Sequence, residues 1–315
     1  VSRITLTLMV GTAGLPHVII RFYTVPKASD ARWSAGWALV FIGLLYTTAP
    51  AVAVFSKYNL LNTLANKPVE EVRQIDWVQK WEQTGLLKLQ DKNGDGILQM
   101  SANPDVNEVT IDRDIIVLST PEVAKLSPFI VGLVAAGGLA AALSTAAGLL
   151  IVIASAISHD LYTRLINPGA SEATKLLIAR VVIFLVVVLA APFGINPPAF
   201  IAQLVAFAFG LAASTFFPAI LLGIFDRRMN MQGAVAGMIV GLVFTASYII
   251  GTKYLGWPNF ILGITAEGIG AIGMLLNFVV AYLVSRATPP PPEEIQHLVD
   301  EIRIPKGSAG SALEH

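Results

Sequence analysis

The sequence predicts an all-α membrane protein with about seven transmembrane helices, and three observations carry that prediction. The chain of 315 residues is 55% hydrophobic and only 13% charged, whereas an ordinary soluble domain carries about 25% charged residues. So little charge cannot coat a water-facing surface of this size, and lipid must replace water over much of it. The apolar runs approach the ~20 residues that a helix needs to cross a bilayer. They also lack the alternation in segments of about ten residues that marks a closed membrane barrel.

Taken in order, the first run lies near 2–22 and is interrupted by GTAGLPH. The second covers 34–56, with Pro50 as a kink. A polar loop, 57–126, separates these two from five further helices within 127–285: about 127–157, 174–193, 198–224, 232–251 and 260–285. The connections after the first, third, fifth and seventh helices carry Arg21, Lys27 and Arg32; Arg164 and Lys175; Arg227 and Arg228; and Arg286. The short connections on the other side carry Lys253 alone, so the positive-inside rule makes the former side cytoplasmic and the loop 57–126 external. A bacterial inner (cell) membrane is the expected location. Residues 286–315 are then a cytoplasmic tail, with a proline spacer, an EEIQHLVDEIRI helix, and a closing SALEH that resembles the scar of a purification tag.

Several function classes are excluded at once. There is no cysteine, which removes disulfides, thiolate metal sites and thiol catalysis. Twenty-one basic and 21 acidic residues leave a net charge of +0 and no basic face for nucleic acid. His17, His159, His297 and His315 are too scattered for a helical zinc pair. No enzymatic constellation emerges.

The polar residues inside the apolar runs carry the functional reading. In LAAALSTAAGLL, Ser144 and Thr145 stand side by side on a stripe of small residues at 137, 141, 144, 148 and 155. Small residues let helices approach closely, so tight packing accounts for the stripe. A hard cation offers a second account. It prefers oxygen ligands, and two hydroxyls with the carbonyl of Ala141 one turn earlier present three oxygens together. Three do not complete a shell; the rest must come from a broken helix elsewhere.

The first helix has a break of that kind. Gly11, Gly14 and Pro16 fall within six residues, and glycine and proline both weaken a helix. Either this is a proline kink or the half-helix resuming near Leu15 presents its positive end to a substrate carboxylate. Thr12, Gly14 and His17 are the candidate substrate residues there, with Gln203 as a further polar position on the fifth helix. Ser214 and Thr215 on the same helix are read as making interhelical hydrogen bonds. No Asp or Glu is assigned to the interior of these helices, which argues against a self-contained proton relay.

In the external loop, DKNGDGIL places Asp91, Asn93 and Asp95 at the first, third and fifth positions of an EF-hand calcium loop, with Gly96 sixth and Leu98 eighth. The twelfth position is Ala102, where a bidentate Glu is required. Calcium bound to half a site and a metal-free string of Asx and Gly turns both fit.

These residues carry a family resemblance. GIFDRRMNMQGAVAGMIVGLV, residues 223–243, resembles a signature of the sodium:solute symporter family, with Gly223–Ile224, Arg228, Gly233–Ala234, Gly237 and Gly241 at its spacing. AALSTAAGLLIVIASAISHDLY resembles that family's sodium-binding helix, and GTAGLPHVIIRFYTVP its acetate and monocarboxylate branch. The resemblance implies a LeuT-like inverted-repeat transporter fold, of which this chain holds the second repeat plus two peripheral helices. It implies Ala141, Ser144 and Thr145 as sodium ligands and a small organic anion such as acetate as substrate. A small membrane subunit as partner goes with the loop. The alternative that it leaves open is a symporter-like sensor module controlling a signalling partner.

Overall fold

A computed structural model describes residues 2–302. The chain is helical nearly throughout, with one short two-stranded sheet. In order, the elements are α1 (Ser2–Gly14), α2 (Pro16–Ile19), a 3-10 turn (Ile20–Tyr23), α3 (Ala28–Leu64), α4 (Val69–Val72), α5 (Asp76–Gln83), β1 (Leu87–Leu89), β2 (Val109–Ile111) and α6 (Ile116–Val123). They continue with α7 (Pro128–Ser155), a π-helical stretch (Ala156–Ile166), α8 (Glu172–Ile195), α9 (Ile201–Phe225), α10 (Met231–Tyr254), α11 (Gly270–Ala287) and α12 (Glu293–Glu301). Residues 303–315, with the SALEH ending, lie outside the described residues.

Among the described residues six helices are long and apolar enough to cross a membrane. The chain is an all-α membrane protein. The first apolar run, expected near 2–22, does not make a seventh of that length: it is split into thirteen residues and four. Two other elements differ from their expected extent. The second helix runs from Ala28 to Leu64, because beyond the apolar window SKYNLLNTL continues it with Leu60 and Leu64 buried in a core. At 1.5 Å per residue its 37 residues reach roughly 55 Å, against a hydrocarbon core of ~30 Å. The last membrane helix begins at Gly270, ten residues after its expected start. Pro258 and positive φ at Gly256, Leu262 and Gly263 hold 255–264 out of the helix.

The chain forms two compact units, one of residues 25–148 and one of the N-terminal 24 residues with 149 onward. The first has its core in the loop region. Leu60 and Leu64 at the foot of α3 pack with Val72, Trp77, Val78 and Leu98, all less than 9% exposed. α5 supplies Trp77, Val78 and Trp81 from its apolar face. β1 and β2 pair antiparallel with Leu87 opposite Ile111, and an isolated bridge joins Pro68 to Ile97.

In the second unit α1 lies along α9, and α9, α10 and α11 pack on one another. The mutual approach depends on glycine. Residues 233, 237 and 241 recur every four positions and so form one face of α10. That face meets Ala281 and Ser285, then Asn277, then Ser214. A Cβ on Gly241 would overlap the carbonyl oxygen of Ser214. In hydrocarbon, water expulsion does not drive helices together, and close van der Waals contact must do so. Gly241→Ala is therefore expected to lower the heat-denaturation midpoint of the purified protein in detergent, since overpacking a tight contact costs about 1–3 kcal/mol. An unchanged midpoint would show that this contact is not tight.

Candidate functional site

The break in α1 is built by three residues. Gly14 is buried against α9, where a Cβ would come within 2.7 Å of the Ala212 carbonyl oxygen. Leu15 leaves the helical region at φ −78, ψ 115, as the residue before a proline does. Pro16 then opens α2, its missing N–H costing nothing at a first helical position. The amides of Val18 and Ile19 both turn back to the Leu15 carbonyl, at 3.1 and 3.3 Å. The resumed helix is a single turn, so its dipole is far smaller than that of a full half-helix.

Two cavities border the break. One, of about 490 Å³, is lined almost wholly by apolar groups, among them Leu15, Pro16, Leu211, Thr215 and Met238. The other, of about 310 Å³, is lined by Gly14, Pro16, Ser155, Asp160 and Phe216. Thr12 is exposed and donates its hydroxyl to the Leu8 carbonyl at 2.8 Å. His17 is half-buried just past Pro16.

Gln203 is not brought to the break. Gly14 meets α9 at Ala212, nine residues farther along, or roughly 13 Å of helix. Gln203 instead donates its side-chain amide to Glu267 at 2.5 Å. Lys253, at the end of α10, pairs with the same carboxylate at 3.0 Å. Glu267 falls inside the segment expected as the last membrane helix, where no acidic residue was assigned. It lies in the irregular stretch before α11, with its side chain 19% exposed. Neighbouring groups also anchor this stretch. Arg3 donates to the Leu262 carbonyl and Tyr248 to that of Ile264. Thr7 donates to the Gly268 carbonyl and accepts from the amide of Ala271, both at 3.2 Å. Thr7 thereby caps an α11 start that has no side-chain cap of its own.

On α7, Ala141, Ser144 and Thr145 lie on exposed positions within one turn. The Thr145 hydroxyl donates to the Ala141 carbonyl at 3.1 Å. Two of the three candidate cation oxygens are therefore adjacent in space as well as in sequence. Ser214 and Thr215, read as interhelical donors, both donate within α9 to Leu211. It is their backbone carbonyls that bond between helices, to Asn277 on α11.

The DKNGDG loop is organised around its own amides. Asp91 accepts from Gly94 and Gly96, and Asp95 from Ile97, Asn93 and Gln99. The Ile97 amide, with Asn93 behind it, holds Asp95 below the ordinary carboxylate pKa. Glu108, 2% exposed, accepts from the amides of Lys92, Asn93 and Gln99 and ties the loop to β2. Among the described residues no three His, Cys, Asp or Glu side chains converge to hold a metal. Calcium at Asp91, Asn93 and Asp95 is unsupported: the turn carries the DxNxDG pattern through hydrogen bonds.

Burial pushes the Glu267 carboxyl up, but the hydrogen bonds from Gln203, Thr265, Lys253 and its own amide outweigh it and bring it down to about 2, from an ordinary 4.5. A carboxylate with a depressed folded pKa adds stability that is complete above its unfolded value and is lost as pH falls through the folded one. The wild type should therefore lose stability between pH 4.5 and about 2. Glu267→Gln should be less stable at pH 7 and flatter across that window, read as heat midpoint against pH. Parallel profiles would remove Glu267 from that role.

Comparison with known proteins adds kinship to this geometry. Residues 100–241 match the sodium:solute symporter family. The chain is 41% identical over 304 residues to an uncharacterized symporter of Cupriavidus necator, covering 94% of this chain and 43% of that protein. It is 31% identical over 252 residues to a monocarboxylic acid transporter of Corynebacterium glutamicum, covering 76% of this chain and 36% of that protein. The chain thus spans less than half the length of either relative.

Proposed function

This chain belongs to the sodium:solute symporter family, and from that premise we propose that the complete protein is a sodium-coupled symporter that imports a short monocarboxylate such as acetate by alternating access. Its kinship to transporters sets it apart from enzymes. The observation that carries the substrate class is the identity with a protein named a monocarboxylic acid transporter. The break at Gly14, Leu15 and Pro16 supports it, because irregular backbone at membrane depth is tolerated only where it is buried in protein or lines a cavity.

In this reading Thr12, Gly14 and His17 face the substrate. The single turn of α2 adds little dipole, so side chains and opened backbone would hold the carboxylate. Ala141, Ser144 and Thr145 contribute oxygens to sodium, the kind of ligand a hard cation prefers. The remaining ligands belong to the part of the protein that this chain does not span. The fold is the LeuT-like inverted repeat, with sites near the midplane and repeats rocking about them. The protein resides in the bacterial cell membrane, with the tail after α11 cytoplasmic, and a small membrane subunit accompanies it. Gln203 is left out of the substrate set, since Glu267 engages it.

The test is uptake of labelled acetate, lactate, pyruvate and a neutral amino acid into proteoliposomes holding the full-length protein, with and without an inward sodium gradient. Uptake of one monocarboxylate is expected to require sodium. The double variant Ser144→Ala/Thr145→Ala should need a much higher sodium concentration for the same rate. Sodium-indifferent uptake, unchanged in the double variant, would return Ser144 and Thr145 to packing residues and overturn the coupling.

A further inference from the structure

A buried polar contact in the α9–α10–α11 pack lies apart from the proposed ion and substrate residues. Pro218 sits inside α9. Lacking an N–H, it cannot donate to the carbonyl four residues earlier, that of Ser214. In water such a carbonyl finds a solvent donor; between packed helices it must find a protein one or remain costly. Asn277 on α11 supplies it. Its side-chain nitrogen donates to the Ser214 carbonyl at 2.7 Å and to that of Thr215 at 2.9 Å. Both Asn277 and Ser214 are 0% exposed. The two N–H bonds of one amide are thus spent on one turn of the neighbouring helix.

The surrounding residues make room for this arrangement. Gly237 and Gly241 on α10 face Asn277, and a Cβ on Gly237 would overlap its side-chain oxygen. That oxygen accepts no hydrogen bond within the protein. A polar side chain is retained in an apolar interface with only its donor half used, which singles out donation as its contribution. Thr215, the second acceptor, also lines the 490 Å³ cavity beside the α1 break.

We propose that Asn277 replaces, from α11, the amide that Pro218 removes from α9. It thereby fixes the proline-bent turn of α9 that forms one wall of the cavity at the α1 break. The assignment does not depend on which ion or solute is carried.

A double-mutant cycle in the full-length protein tests it, read as heat-denaturation midpoints in detergent. Asn277→Leu keeps most of the volume and removes the donor; Pro218→Ala restores the backbone amide. Asn277→Leu is expected to lower the midpoint by several degrees when Pro218 is present. In the Pro218→Ala background it should lower it by less than half as much, because Ser214 regains its own helical donor. A role in packing alone would give the same loss in both backgrounds, and equal losses would overturn the proposal. So would failure of the Asn277→Leu chain to fold in both backgrounds. Folding of the double variant where Asn277→Leu alone fails would support it.

Discussion

Every backbone N–H and C=O placed in hydrocarbon must find a partner, and this constraint governs the α1, α9, α10 and α11 pack. Each irregularity there is matched by a side chain from another helix. Thr7 of α1 caps the start of α11, Tyr248 of α10 holds the Ile264 carbonyl, and Asn277 of α11 serves the carbonyl opposite Pro218. Asn230 does the ordinary version of the same work, capping α10 through the amide of Gly233. An unsatisfied group at such a position costs several kcal/mol, of the same order as a domain's entire stability. The polar residues of this pack are therefore held in place by the backbone they serve.

Close approach makes those exchanges possible. A side-chain amide reaches a neighbouring helix carbonyl at 2.7 Å only if the two backbones are near, and the glycine face of α10 brings them near. The family signature in this region thus has a packing meaning: Gly233, Gly237 and Gly241 are the surface on which α11 and α9 rest. α3 and α8 present a different surface. Over their most apolar windows 0% and 6% of residues are buried, as befits helices facing lipid or the rest of a longer protein.

What the sequence reveals and what it hides divide along contact range. Apolar length, the Gly14–Leu15–Pro16 break and the Ser144–Thr145 pair are local patterns, visible within a few residues. Asn277 is a lone polar letter in GMLLNFVVAYLV, and nothing nearby connects it to a proline 59 positions earlier. Glu267 could be noticed as an acid inside an apolar run, but its partners Gln203 and Lys253 come from two other helices. Glu108 is hidden for a related reason. A calcium loop needs its last carboxylate at the twelfth position, whereas here a buried carboxylate arrives from a later turn and binds amides. The length of α3 was missed because its last two turns are amphipathic and packed on a core beside the membrane run.

The account joins a fixed pack, its backbone fully paired, to a broken helix whose backbone is open for binding. Amide hydrogen exchange on the full-length protein in lipid nanodiscs, with and without sodium and acetate, tests that contrast most directly. Peptides from α10 and α11, including the amide of Ala271, should exchange slowly in both conditions. Peptides covering residues 11–20 should exchange faster, and slow when both solutes are added. Rapid exchange at the start of α11, or a break that exchanges identically with and without sodium and acetate, would contradict it.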